Sequence, residues 1–170
     1  MRRRAAALLI VGALALVPVS GCAALVPRPV PAAAVECDPP APPGATDAAR
    51  AYTDAAHRAH EARVLLSDTI AAQDMMMSLD DLRTSAANDE AFLTEVRGID
   101  FPPEAARAAD DFLRAVEADD DFLLTAAAQD GYYAEHAAER NRLYENRTRA
   151  GHALREALGL PRSGCSLNLP

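Results

Sequence analysis

An all-α, up-and-down helical bundle, preceded by a Pro/Ala-rich tether with no fixed fold, is what this sequence predicts. Three observations carry that expectation. Apolar residues recur at spacings of three and four from Thr46 onward, glycine and proline punctuate the chain where helices would stop and start, and the stretch before Thr46 is too rich in proline to continue a helix.

The chain opens with Arg2, Arg3 and Arg4, followed by 13 apolar residues from Ala5 through Val17 and then Val19-Ser20-Gly21-Cys22. A basic segment, a short apolar segment and small residues before a cut site are the pattern of a signal peptide, here residues 1–21. A membrane-spanning helix needs about 20 apolar residues, so this segment is too short for an ordinary anchor. Val19-Ser20-Gly21-Cys22 resembles the lipobox of bacterial lipoproteins, in which the cysteine is acylated and becomes the first residue of the mature protein. That resemblance implies lipidation of Cys22 and attachment to the extracytoplasmic face of the cell membrane. A diacylglyceryl group supplies two chains, enough for stable anchoring where one gives only marginal binding. A plain secretory cut near Ala24 would discard Cys22 instead, and it accounts less well for the order branched, small, small, cysteine.

Removal of residues 1–21 leaves 149 residues with 14 basic and 25 acidic side chains, a net charge of −11. That length suits one domain with its own core. A surface so acidic repels phosphate backbones and anionic head groups, which excludes nucleic acid as a partner and leaves the lipid as the hold on the membrane. Lysine is absent and alanine and arginine are abundant, as high-GC coding produces, so the arginines are not in themselves a sign of anion recognition.

Residues 22–45 form the tether, with Pro27, Pro29, Pro31, Pro39, Pro40, Pro42 and Pro43 favouring extended polyproline II as a spacer. Residues 46–160 form the bundle. Thr46 caps the first helix with Asp47 in its first turn, and Tyr52, Ala55, Ala59, Ala62, Leu66 and Ile70 line one face. No glycine or proline marks a break before Gly98, so the next start falls either at Ser78, with Asp81 completing a capping box, or at Asn88-Asp89-Glu90. Gly98 and Gly159, each followed by an apolar residue, read as Schellman stops with glycine in the left-handed conformation. Pro102, Pro103 and Glu104 open a third helix with Ala105, Ala109, Phe112, Val116 and Leu123 on its core face. Asp130-Gly131 marks a turn, and a last helix runs from about Tyr132 to Leu158 on Leu143, Ala150, Leu154 and Leu158. Residues 161–170 are a tail carrying Cys165.

With Cys22 assigned to lipid, Cys37 and Cys165 remain as a pair that an exported compartment permits to form a disulfide. One precedes the first helix and the other follows the last. An even number of antiparallel helices puts both on one side. Four helices therefore fit better than three, and better than a hairpin whose long arms would leave half an apolar stripe exposed. Three stay open, because the extended stretch after Cys37 reaches about 26 Å.

No nucleophile elbow, phosphate-binding glycine loop or zinc-protease motif occurs, so the expectation is a non-enzymatic protein without a cofactor. The one constellation with ligand spacing is Asp54, His57, His60 and Glu61, and an antiparallel last helix brings His152 and Glu156 near the same layer. His57, His60, Glu61 and His152 are thus the candidate metal or small-ligand set, weighed against the plainer reading as solvated helix faces. Met75, Met76 and Met77 point about 100° apart on a helix and suit an apolar lid near Tyr132 and Tyr133 better than a metal. Asp110, Asp111 and Asp119-Asp120-Asp121 lack the loop of a calcium site and read as a solvated face.

Through Ile99-Asp100-Phe101-Pro102-Pro103-Glu104 and Ala157-Leu158-Gly159-Leu160-Pro161 the chain resembles the small alanine-rich helical lipoproteins of high-GC Gram-positive bacteria. The resemblance implies an envelope location and a helical fold, and it transfers no functional residue beyond Cys22. The expected role is that of a membrane-anchored binding or structural protein of the cell envelope, with an envelope protein as a possible partner and a metal- or small-ligand-binding bundle as the alternative.

Overall fold

A computed structural model describes residues 39–73 and 77–163, and within them the chain is helical with no strand. The elements are α1 (Asp47–Ala71), α2 (Leu79–Arg97), α3 (Pro103–Ala128), the single turn α4 (Tyr132–Glu135) and α5 (Ala137–Ala157). The expected bundle of four long helices is present, with α4 as a short addition. Cys22, Cys37 and Cys165, the signal segment, most of the tether and Met75 and Met76 lie outside the described residues.

Each helix starts for a local reason. Thr46 holds extended backbone and its Oγ1 accepts from the Ala49 amide, 3.2 Å away. At Ser78 the capping box is complete, since Oγ accepts from the Asp81 amide and Asp81 Oδ2 accepts from the Ser78 amide at 2.8 Å. This decides the open boundary in favour of Ser78. Asn88, Asp89 and Glu90 sit inside α2. Pro102 and Pro103 begin α3, where the missing amide of proline costs nothing.

The stops differ more. Gly159 is left-handed at φ +68°, and the Leu160 amide reaches the Arg155 carbonyl at 2.8 Å while Gly159 reaches Glu156, the expected Schellman pair. Gly98 departs from expectation, because its φ is −79° and α2 ends on i→i−3 bonds from Gly98 to Glu95 and Ile99 to Val96. Two prolines close behind Ile99 already forbid continuation, so no left-handed residue is required. The last helix is also interrupted. His136 leaves helical geometry at φ −103°, ψ 32°, and its ring stacks on Tyr132 with centroids 3.7 Å apart, dividing α4 from α5.

Residues 39–45, read from sequence as the end of the spacer, belong to the folded body. Gly44 turns at φ +83°, the Ala45 amide bonds the Pro42 carbonyl, and Ala41 and Ala45 pack on the core. Arg155 explains their placement. Its side chain is buried, its Nε donates to the Pro161 carbonyl at 2.6 Å and its Nη2 to the Pro39 carbonyl at 3.3 Å. One guanidinium thus joins the chain's entry into the bundle to its exit.

Packing is sequential, α1 on α2, α2 on α3 and α3 on α5, while α1 and α5 lack comparable backbone packing. The main core lies toward the entry and exit, where Phe112 meets Tyr52 and Phe92 edge-on at 5.9 and 5.8 Å. A smaller core of Leu82, Ala86, Leu123, Ala126 and Ala127 closes the far end, with Met77, Tyr132 and Tyr133 packed on it. No helix among the described residues is long and apolar enough to cross a membrane.

Replacing Ser78 by alanine removes the oxygen that accepts from the Asp81 amide and donates to Asp81 Oδ2, and leaves the half of the capping box made by the residue 78 amide. Urea denaturation should show a loss of about 1 kcal/mol, with an unchanged slope.

Candidate functional site

Because α1 and α5 stand apart, the bundle is open along one seam. The seam is a cleft of about 250 Å³ with α2 and α3 as its floor. Along α5, Arg140, Tyr144, Arg147, Thr148, Gly151, His152 and Arg155 all line it, the spacing of a core stripe filled with polar residues. From α1 come Tyr52, Ala56, His60 and Arg63. The floor supplies Asp89, Phe92, Phe112, Asp119 and Leu123.

Between the two apolar cores lies an ionic layer. Arg147 donates through Nη2 to Asp89 Oδ1 and through Nη1 to Asp89 Oδ2, both at 2.7 Å, and Nη1 also reaches Asp119 Oδ2 at 2.8 Å. Arg63 approaches Asp89 from the opposite wall at 3.9 Å. Burial opposes the charge of Arg147, yet the two carboxylates outweigh it and hold the guanidinium protonated above its ordinary range. A bidentate contact of this kind fixes distance and orientation together, so one side chain of α5 sets its position against both α2 and α3.

Asp120 sits behind the layer, 8% exposed, with Oδ1 buried and bonded to nothing. Burial, reinforced by the nearby charges of Asp89, Glu90, Asp121 and Asp119, pushes its carboxyl up to about 6. At the far end Arg140 lies over the Tyr133 ring at 4.5 Å. Burial raises the Tyr133 hydroxyl, and Arg140 partly offsets that rise.

The sequence-derived ligand set divides. His60 and His152 are half-buried and line the cleft from opposite walls, while His57 and Glu61 are exposed and do not. Among the described residues no group of three or more His, Cys, Asp or Glu side chains is placed to hold a metal ion. The histidine layer is therefore divided, with His60 and His152 on the cleft and His57 and Glu61 outside it. Helix phase decides this, because residues three apart are 60° out of register and His57 turns outward when His60 turns in.

The acidic run is also divided. Asp110, Asp111 and Asp121 are exposed as expected, but Asp120 is buried and Asp119 is sequestered by Arg147. Sequence reasoning missed the ionic layer, although a signal was present. Arg147 falls between Leu143 and Ala150 on the apolar stripe of α5, Asp89 between Ala86 and Phe92 on α2, and Asp119-Asp120 between Val116 and Leu123 on α3. Charges of opposite sign at core positions of neighbouring helices, at matching depth, call for one another.

Compared with known proteins, the chain matches no family model, no curated sequence and no solved structure.

Arg147→Met should lose about 3–5 kcal/mol in urea denaturation, because Asp89 and Asp119 are left buried without their counter-charge. For Asp120 the folded carboxyl lies near 6, above its ordinary 3.8, so the folded state holds that proton more tightly than the unfolded chain. Its ionisation opposes folding above about pH 6, and the penalty is relieved as the pH falls toward 4. Asp120→Asn should accordingly be more stable than the parent at pH 7, on the order of 1 kcal/mol, with the difference vanishing near pH 4. Paired urea titrations at the two pH values check this.

Proposed function

We propose that the chain is an extracytoplasmic lipoprotein, held to the cell membrane through acylated Cys22, whose helical bundle binds a small molecule in the α1–α5 cleft without transforming it. The observation that carries the binding reading is the polar inward stripe of α5. A helix that only completed a core would present apolar residues there, and this one presents Arg140, Tyr144, Thr148 and His152 to a cavity of about 250 Å³. Apolar walls with a few convergent polar groups are the general form of a small-ligand site.

The anchor reading rests on the sequence from Arg2 to Cys22, and the net charge of −11 after it leaves lipid as the means of attachment. The reading as binder follows from the absence of any catalytic motif in the sequence. Cys37 and Cys165 are proposed to form a disulfide. Arg155 supports the pairing, since it holds the carbonyls of Pro39 and Pro161 on one guanidinium. Cys37 is two residues before Pro39 and Cys165 four after Pro161, so chain of about 3.5 Å per residue spans the remaining distance. Such a bridge closes a loop of more than 100 residues and contributes on the order of 4 kcal/mol.

Mass spectrometry of the protein from its native membrane tests the covalent part. The expected result is an acylated Cys22 at the mature terminus and, without reductant, a peptide joining Cys37 to Cys165. An unmodified terminus upstream of Cys22 would contradict the anchor, and alkylation of both remaining thiols without reduction would contradict the bridge.

A further inference from the structure

The charged side chains of the cleft are committed within the protein. Arg147 is held by Asp89 and Asp119, Arg140 bonds and overlies Tyr133, and Arg155 donates to the carbonyls of Pro39 and Pro161. Arg63 stands 3.9 Å from Asp89, and Arg63, Arg155, His60, Tyr52 and Ser163 each make further interactions. What the cleft holds in reserve is uncharged hydrogen-bonding capacity on α5. Asn141, Tyr144, Thr148 and His152 line it, and among the described residues none of these four side chains makes a hydrogen bond, ion pair or ring contact. Thr148 is the clearest case. Four other helical threonines, Thr53, Thr69, Thr84 and Thr125, turn their hydroxyls back onto the carbonyl four residues earlier at 2.8–2.9 Å. Thr148 does not, and its hydroxyl is left to the cleft.

Spacing and size narrow the ligand further. The four residues follow one another at intervals of three, four and four, so they form one stripe about 16 Å long on the cleft wall of α5. A hydroxyl, an amide and an imidazole each offer both a donor and an acceptor. An apolar ligand would take water from the stripe and return no hydrogen bond. A charged ligand would enter a cleft whose counter-charges are already engaged. The ligand that suits is uncharged and dense in hydroxyl groups, with an apolar face for the half-buried Tyr144 ring, which stacks on no other ring among the described residues. At about 250 Å³ the cavity is below the usual range of roughly 300–1,000 Å³, too small for a lipid chain and sufficient for one or two small rings.

We infer that the cleft binds an uncharged sugar, a mono- or disaccharide whose hydroxyls pair with Asn141, Thr148 and His152 and whose C–H face rests on the Tyr144 ring between them. The inference rests on the binding reading above and names its ligand class. Adjacent sugar hydroxyls suit this stripe because each group on either side both donates and accepts, so the match requires no charge.

The experiment uses the full-length lipoprotein in nanodiscs, with empty nanodiscs as the blank, and titrates ligands by saturation-transfer NMR. The neutral probes are glucose, galactose, mannose, N-acetylglucosamine, arabinose, maltose and trehalose, and the contrasting probes are glucuronate, glucosamine and cyclohexylmethanol. At least one neutral sugar should saturate with a Kd below about 1 mM, and the anionic, cationic and apolar probes should each bind about tenfold more weakly or not at all. Thr148→Val and, separately, Tyr144→Ala should each weaken that sugar severalfold. Thr148→Phe should abolish binding by filling the cleft from α5, and Ala56→Phe provides a second block from α1, with circular dichroism reporting whether each variant folds. Sugar binding indifferent to both blocking substitutions in folded protein overturns the cleft as the sugar's site. Charged or apolar probes that bind as well as the sugars, and are lost in the blocked variants, overturn the sugar inference and leave the cleft as a binding site. If no probe saturates, both fall.

Discussion

The position of α5 depends on Arg147. Its guanidinium reaches Asp89 on α2 and Asp119 on α3 at 2.7–2.8 Å, and no apolar surface can take the place of that contact at the level where it occurs. Two buried carboxylates without a cation would be more costly than any nearby packing gain. The interaction is therefore less a source of net stability than a rule about register. Sliding α5 by one turn, about 5.4 Å, would bring an uncompensated charge against the apolar core on either side.

From that constraint the cleft follows. Held on α3 by Arg147, with Leu143 and Leu154 buried, α5 directs its next stripe toward α1, and that stripe is too polar to close against Tyr52 and Ala56. Gly151 removes the one side chain that would have covered Phe112. Arg155, two turns below Arg147, fixes the same helix to the chain's entry and exit. The seam is open because arginines hold α5 at its middle and near its C-terminal end, while the stripe between them, Thr148, Gly151 and His152, offers little apolar surface to α1. Asp120 adds a cost to this layer, a buried carboxylate oxygen without a donor. Buried polar groups left unsatisfied are rare in folded proteins.

Much of the fold was legible in the sequence because its signals are local. Thr46, Ser78 with Asp81, Pro102-Pro103 and Gly159 act within one turn of the chain, and each begins or ends a helix as chemistry requires. Gly98 took the right-handed conformation because the prolines after it made the left-handed one unnecessary. The break at His136 was hidden, since stacking on Tyr132 leaves no mark in composition. Of the candidate residues, His60 and His152 line the cleft and His57 and Glu61 are exposed, because spacing assigns a broad face but not its centre. The ionic layer was missed since an acidic run of Asp119, Asp120 and Asp121 looks solvated until its partner on another helix is known.

A double-mutant cycle between Arg147 and Asp89 measures the central constraint directly. With Arg147→Met and Asp89→Leu, the double variant should be more stable than the sum of the single losses implies, by about 2–3 kcal/mol, because each substitution alone deprives a buried charge of its bidentate partner. Losses that add within about 0.5 kcal/mol would show the two residues to be energetically independent, and Arg147 would then not set the register of α5.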